Sequence, residues 1–174
     1  YIDHSTNRVG IGTTSPSQKL DVSGKIAVNG QTAVYIPLGD FTGSSFYGDG
    51  GGSLSYVSGD DGRWNTGVGI GALFSNTTGK FNIASGYRSL YANTIGNYNV
   101  ASGVYSLLYN TTGSYNVASG YQTLFTNTIG NFNTAIGGYS LYSNIDGLGN
   151  VASGYQTLYT NTEGSYNVAS GYHA

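Results

Sequence analysis

From Asn65 to Ala174 the same order of apolar and polar residues returns every 17 positions. One unit, 116–132, reads N-V-A-S-G-Y-Q-T-L-F-T-N-T-I-G-N-F. Six complete units follow one another without insertion or deletion, and a seventh begins at Asn167. So strict a period is typical of repeat architectures in which each unit stacks on the next.

Several positions of the unit hold one residue type throughout. Asparagine opens each unit, as at Asn82, Asn99, Asn116, Asn133, Asn150 and Asn167. Leucine forms a second column at Leu90, Leu107, Leu124, Leu141 and Leu158. A further asparagine column runs from Asn76 to Asn161, and a glycine column from Gly79 to Gly164. When strands stack in register, such asparagine amides hydrogen-bond along their column, so we predict that the asparagine and leucine columns are structural ladders.

The local chemistry of the unit favours strands over helices. Each unit carries glycines, β-branched residues and N-T-x-G turn chemistry, and glycine inside a helix costs about 1 kcal/mol relative to alanine. We predict two short strands per unit, near V-A-S-G-Y and S-L-Y-x-N, stacked at about 4.8 Å per coil. The predicted fold is all-β, a parallel β-solenoid of 17-residue coils.

Each leucine of the ladder is followed by a residue that is often aromatic. Strand alternation sends neighbours to opposite faces, so one fills the coil while the other faces outward. We predict that the outward column, at Tyr91, Phe125, Tyr142 and Tyr159, forms a lateral interface. Stacked exposed aromatics make an apolar patch that monomers seldom tolerate, which favours a parallel homotrimer. The alternative is that tyrosine hydroxyls hydrate this face sufficiently.

The first 64 residues lack the period and form a separate region, 1–64, ahead of the solenoid at 65–174. Residues 20–34 alternate apolar and polar side chains around Ser23-Gly24 and Asn29-Gly30, which predicts short strands with tight turns. Residues 42–62, rich in Gly, Ser and Asp, predict a loop or cap. The unit at 65–81 is degenerate, as terminal repeats are.

The composition argues against several classes of function. Only 8% of residues are charged, and six Lys plus Arg provide no basic surface for nucleic acid or anionic lipid. No apolar run is long enough for a membrane-spanning helix, so we expect no membrane insertion. The absence of cysteine excludes disulfides and thiol nucleophiles, and a sequence that starts at Tyr1 without methionine is interpreted as a processed or excised chain.

Candidate catalytic and metal-binding residues are few. His4 and His173 lie near opposite ends of the chain, and Glu163 occupies a turn position filled by other residues elsewhere. Asp49, Asp60 and Asp61 lack calcium-loop spacing and are interpreted as turn residues. The glycines of 10–12 and 67–71 lack the strand-loop-helix context of a phosphate loop. We therefore predict no catalytic residue, metal site or cofactor.

Three further interpretations concern the outer surface. The N-T-T sequences at Asn76 and Asn110 match the N-glycosylation pattern, which is expected by chance in an Asn/Thr-rich repeat. Columns of threonine suggest ice binding, but neighbouring aromatic columns and the turn character of N-T-x-G argue against it. Exposed tyrosine and asparagine columns can stack on and hydrogen-bond to sugars, so surface glycans are a candidate partner.

Two segments carry a resemblance to known proteins. R-V-G-I-G-T-T-S-P-S-Q-K-L-D-V-S-G at 8–24 and the S-G-Y-Q-T-L-Y-T-N-T-x-G-S-Y-N-V-A units resemble segments of phage tail-fibre and bacterial surface-fibre proteins. The units are more distantly similar to the head repeats of trimeric autotransporter adhesins, and the resemblance implies trimeric β-rolls. The 17-residue unit is longer than the usual adhesin head repeat. These 174 residues contain no segment like the membrane anchor or the self-cleaving chaperone domain of these families, so their mode of assembly is not expected to carry over.

Three functions remain open at this point. The first is a non-enzymatic structural and adhesive module of an extracellular appendage, on a cell surface or virion. The second is a self-polymerising extracellular filament subunit, joined head to tail by strand addition at the edge 167–174. The third is an enzyme such as a depolymerase, for which the sequence supplies no evident catalytic residues.

Overall fold

The computed structural model describes residues 2–3, 8–11, 14–15, 20–22, 25–28, 31–35, 45–47 and 62–174. Thirteen strands lie in these residues. The first six are β1 (Ile2–Asp3), β2 (Arg8–Ile11), β3 (Leu20–Val22), β4 (Lys25–Val28), β5 (Gln31–Tyr35) and β6 (Ser45–Tyr47). The repeat region supplies β7 (Thr66–Val68), β8 (Ile83–Ser85), β9 (Val100–Ser102), β10 (Val117–Ser119), β11 (Thr134–Ile136), β12 (Val151–Ser153) and β13 (Val168–Ser170).

The repeat region is the predicted parallel β-solenoid. Strands β7 to β13 are parallel neighbours in one sheet, and every pair is offset by one unit, as in Val117↔Thr134 and Ala118↔Ala135. The Val117 N–H donates to the carbonyl of Asn133 over 2.8 Å, and the same bond recurs from coil to coil. Equal units therefore place like residues directly over one another, because a shift by one residue would reverse every side chain.

The described part of region 1–64 consists of short strands, as predicted. Strands β1 to β3 form a small sheet, in which β1 and β2 are antiparallel and β2 and β3 parallel. Strands β4 and β5 form an antiparallel pair that extends the solenoid sheet through β6. Within 42–62, for which a loop or cap was predicted, the described residues form β6, a strand that pairs in parallel with β7. Asp49, Asp60 and Asp61 lie outside the described residues.

Each described coil contains one strand, and the prediction of a second strand near S-L-Y-x-N is wrong. That segment is a turn, because the ladder leucine has a left-handed backbone, with φ of 51° at Leu124. Gln122, two residues earlier, is also left-handed, with φ of 50°. Left-handed residues interrupt a strand and turn the chain back over the coil. The Leu124 N–H still donates to Ser140 in the next coil, over 3.0 Å.

Left-handed leucine is tolerated because burial outweighs its conformational cost. That cost is about 1–2 kcal/mol per residue, whereas full burial of a leucine side chain contributes about 1.5–3 kcal/mol. The ladder leucines from Leu73 to Leu141 are fully buried, and Leu158 packs against them with partial exposure. The buried apolar core consists of this leucine column and the alanines at the centres of the strands, from Ala84 to Ala152.

Candidate functional site on the outer faces of the coils

Two interior asparagine columns hold the coils in register. Asn116 donates from Nδ2 to the carbonyl of Gly130 over 2.8 Å and to Oδ1 of Asn99 over 3.2 Å. Its Oδ1 accepts from the backbone N–H of Asn133 over 3.0 Å and from that residue's Nδ2 over 3.2 Å. In the second column, Asn110 donates to Asn93 over 2.8 Å. Side-chain hydrogen bonds therefore run from coil to coil along both asparagine columns.

One outer face carries a column of stacked rings, which we call the aromatic ladder: Trp64, Phe81, Tyr98, Tyr115 and Phe132. Adjacent centroids lie 4.7 to 4.9 Å apart with nearly parallel planes. All five rings are exposed, and Phe132 retains 57% of its accessible surface. Gly149 occupies the next place with the same left-handed backbone (φ 66°), so the ladder is interrupted there.

A second outer face carries one tyrosine per coil over six coils, which we call the tyrosine path: Tyr87, Tyr105, Tyr121, Tyr139, Tyr155 and Tyr172. Successive ring centroids are 5.3, 6.5, 5.3, 5.8 and 5.4 Å apart. Through Tyr155 the tyrosine alternates between the sixth and seventh positions of the unit. This alternation makes most contacts edge-to-face, one of the preferred aromatic geometries. It is visible in the sequence, but a search for single-residue columns misses it.

The predicted interface residues Tyr91, Phe125, Tyr142 and Tyr159 lie in one column, as expected, and are half-buried. The ring of Phe125 stacks on Tyr142 at 5.0 Å, and Tyr142 stacks on Tyr159 at 5.0 Å. Tyr139 of the tyrosine path lies 6.0 Å from Tyr142. This column is therefore partly covered by its own chain, whereas the aromatic ladder is more open.

Crowding of phenols perturbs two tyrosines. Burial, followed by the neighbouring phenols of Tyr121 and Tyr155, raises the pKa of Tyr139 above its ordinary value of 10.0. Burial, followed by Tyr159 and Tyr109, likewise raises the pKa of Tyr142. In both cases the environment disfavours the charged phenolate.

Hydrogen bonds and side-chain burial bear on two of the surface interpretations, ice binding and N-glycosylation. The threonine hydroxyls are used between coils: Thr94 Oγ1 donates to the carbonyl of Thr111 over 3.0 Å, and Thr111 does so to Thr128 over 3.0 Å. They are therefore not an open array for ordering water, which argues against ice binding. The side chains of Asn76 and Asn110 are fully buried, so neither N-T-T sequence presents its amide for glycosylation in the folded coil.

The remaining titratable candidates are scattered. His173 lies against Tyr172 with centroids 4.4 Å apart, and Glu163 is exposed in a turn. His4 lies outside the described residues. Among the residues that the structure describes, no three His, Cys, Asp or Glu side chains lie close enough to hold a metal ion. The described residues also contain no helix long and apolar enough to cross a membrane.

What the outer faces offer chemically is a regularly spaced array of aromatic rings and hydroxyls with few charges, among them Arg63 over Trp64 and Arg88 over Tyr87. Such an array can pack against another apolar surface or stack on flat ligands. Comparisons with protein-family models, with curated proteins and with solved structures find no match to this chain.

Proposed function

We propose that this chain is a non-enzymatic fibrous module with a structural and adhesive role in an extracellular appendage, such as a tail fibre or surface adhesin. The observation that carries the proposal is the uninterrupted stacking of equal coils, with Val117 over Thr134 and Asn116 over Asn133. Such a stack has a constant cross-section and can be lengthened by adding units, which suits a load-bearing or spacing element.

The outer faces support the adhesive part of the proposal. An exposed aromatic ladder beside strand residues such as Val117 and Ile83 forms an apolar strip on a nearly uncharged surface. Strips of this kind are typical of surfaces that meet another molecule. Lateral association into a homotrimer would cover this strip or the Tyr91 column, and surface glycans are the proposed external partner.

A first experiment measures the solution mass and shape of the purified chain by analytical ultracentrifugation and small-angle X-ray scattering. A discrete, elongated trimer would support the fibre module. Growth without limit with concentration would favour the filament subunit instead. A strictly monomeric chain at all accessible concentrations would contradict lateral association.

A second experiment tests the adhesive role with an array of immobilised glycans and an activity screen on soluble polysaccharides. We expect retention on a subset of the glycans and no turnover. Sustained polysaccharide cleavage that is lost when Asp146 or Glu163 is substituted would replace the proposal with an enzymatic one.

A further inference from the structure

The tyrosine path differs from the aromatic ladder in carrying a phenol at every step. In the ladder, Tyr98 and Tyr115 lie between Phe81 and Phe132, so phenol chemistry cannot extend beyond that pair. In the path, each ring contacts a tyrosine of the next coil from Tyr87 to Tyr172. Six coils are thus connected by phenols in ring contact.

The composition directs oxidation to these phenols. The sequence contains 17 tyrosines, one tryptophan, no cysteine and no methionine. Thiols and thioethers are the side chains that oxidants usually consume first. Without them, a one-electron oxidant that reaches this chain acts mainly on tyrosine, and Tyr87, Tyr121 and Tyr155 are exposed to solvent.

We propose that the tyrosine path is a site of oxidative coupling, at which a peroxidase with hydrogen peroxide joins tyrosines of neighbouring coils through dityrosine bonds. Each of the two tyrosines loses one electron and its phenolic proton, and the resulting phenoxyl radicals form a bond between their Cε atoms. The two displaced ring hydrogens return to the oxygens by tautomerisation. The protein loses two hydrogens overall, and one hydrogen peroxide is reduced to two waters.

Tyr139 is the centre of the proposed site. Its ring lies 5.3 Å from Tyr121 and 5.8 Å from Tyr155, on the coils before and after it, and 6.5 Å from Tyr159. A radical formed on any of these rings therefore has a phenol partner within reach in the folded coil. The bonds would staple coils together covalently, in a chain that has no cysteine for disulfides.

Tyr166 provides the contrast. It is more exposed than the path tyrosines near the middle of the solenoid, at 74%, and its ring contacts no other tyrosine ring in residues 62–174. If accessibility alone determined coupling, Tyr166 would be a main product site through links between molecules. If ring contact determines it, intramolecular links concentrate on the path and on the two contacting pairs beside it, Tyr98–Tyr115 and Tyr142–Tyr159.

The test treats the dilute, full chain with a plant peroxidase and hydrogen peroxide, then measures dityrosine fluorescence, intact mass and cross-linked peptides. We expect monomeric product that has lost pairs of hydrogens, with links between adjacent path tyrosines, chiefly those that involve Tyr139. The same treatment in concentrated urea should scatter the links over the chain. An equal scatter in the folded protein, or links only between molecules, would overturn the proposal.

Two variants test the proposal independently of the map of cross-linked peptides. Tyr139→Phe keeps the ring but lacks the phenol, so we expect links at position 139 to vanish and total intramolecular dityrosine to fall by the share of those links. Tyr166→Phe should leave the intramolecular yield unchanged. Circular dichroism checks that both variants are folded, and an unchanged yield in folded Tyr139→Phe would also reject the central role of this residue.

Discussion

At the residue scale, the interior asparagines act as both spacers and hydrogen-bonding partners. Asn116 is fully buried and uses both its amide oxygen and its amide nitrogen. A buried polar group without partners costs about 1–3 kcal/mol, so its place in the core depends on the coils above and below. No buried side-chain nitrogen or oxygen in the described residues lacks a partner. The coils must therefore stay in register for the buried asparagines to keep their hydrogen-bond partners.

Replacement of Asn116 by alanine should destabilise the fold strongly. It would remove one of the two amide donors to the carbonyl of Gly130, leaving Asn127, and would leave the N–H of Asn133 without its acceptor. We expect the free energy of unfolding to fall by about 2–4 kcal/mol, measured by urea denaturation followed by circular dichroism. Asn131→Ala is the matched control, because Asn131 is only half-buried and water can replace its contacts. A similar loss in both variants would contradict the role of burial.

Two adjacent glycines give a second test at this scale. Gly137 has φ of 113°, and a Cβ there would lie 2.7 Å from the carbonyl carbon of Gly154. At Gly138 the nearest atom to an added Cβ is Cδ2 of Tyr155, at an ordinary 3.5 Å. We expect Gly137→Ala to cost about 3 kcal/mol or more, and Gly138→Ala to be neutral or to stabilise by up to about 1 kcal/mol. Thermal denaturation of both variants measures the difference, and equal midpoints would refute it.

At the element scale, the unit of structure is one coil, and only some of its features could be predicted from the sequence. The period, the buried leucines and the asparagine columns were predictable, because stacking in register requires identical residues at identical positions. The left-handed backbones at Gln122, Leu124 and Phe132 were not predictable, because non-glycine residues seldom adopt that conformation. Because of the left-handed residues Gln122 and Leu124, the segment for which a second strand was predicted forms a turn. Two glycines hint at it in the sequence: Gly71, in the column of Gln122 at φ 72°, and Gly149, in the aromatic column at φ 66°.

The candidate surfaces were predictable only in part, for a related reason. Sequence spacing placed Tyr91 and Phe125 in one column, but it could not show that Tyr105 covers Phe125, with centroids 6.4 Å apart. The tyrosine path alternates between two positions of the unit, so a search for single-residue columns misses it although the alternation is present in the sequence. Exposure of the aromatic ladder follows from the same left-handed backbone that the sequence conceals.

Deletion of a whole coil should be tolerated, whereas deletion of part of one should not. Removing 116–132 joins Tyr115 to Asn133 and restores the same register, so we expect a folded chain of lower stability. Removing 117–132, one residue fewer, shifts every following side chain relative to the preceding coil. The measurements are circular dichroism and the midpoint of thermal unfolding. Equal folding of both deletion variants would refute the requirement for equal coils.

At the scale of the whole molecule, stability should fall in alkaline solution. The pKa values of Tyr139 and Tyr142 are raised above 10.0 in the fold, mainly by burial, so the folded state binds these protons more tightly than the unfolded state. Their contribution is present below about pH 10 and is lost as the pH rises through the raised pKa values. We expect the midpoint of thermal unfolding to decrease as the pH rises above about 10. In Tyr142→Phe, the decrease of that midpoint with pH should be smaller. A slope unaffected by Tyr142→Phe would contradict the assignment.

The proposed lateral association would use one of two outer faces. The residues of the aromatic ladder retain 38 to 57% of their accessible surface, whereas Tyr91 and Phe125 are half-buried against their own chain. Because an exposed apolar strip gains more from being covered, we expect the ladder to contribute most to association. The double variant Tyr98→Asn/Tyr115→Asn removes two rings of the ladder and should lower the solution mass to that of the monomer. The variant should stay folded, because asparagine also tolerates the left-handed backbone at these positions. Tyr91→Asn/Phe125→Asn is the matched variant. If only this second pair dissociates the assembly while both variants remain folded, the original assignment of the interface to the Tyr91 column is correct.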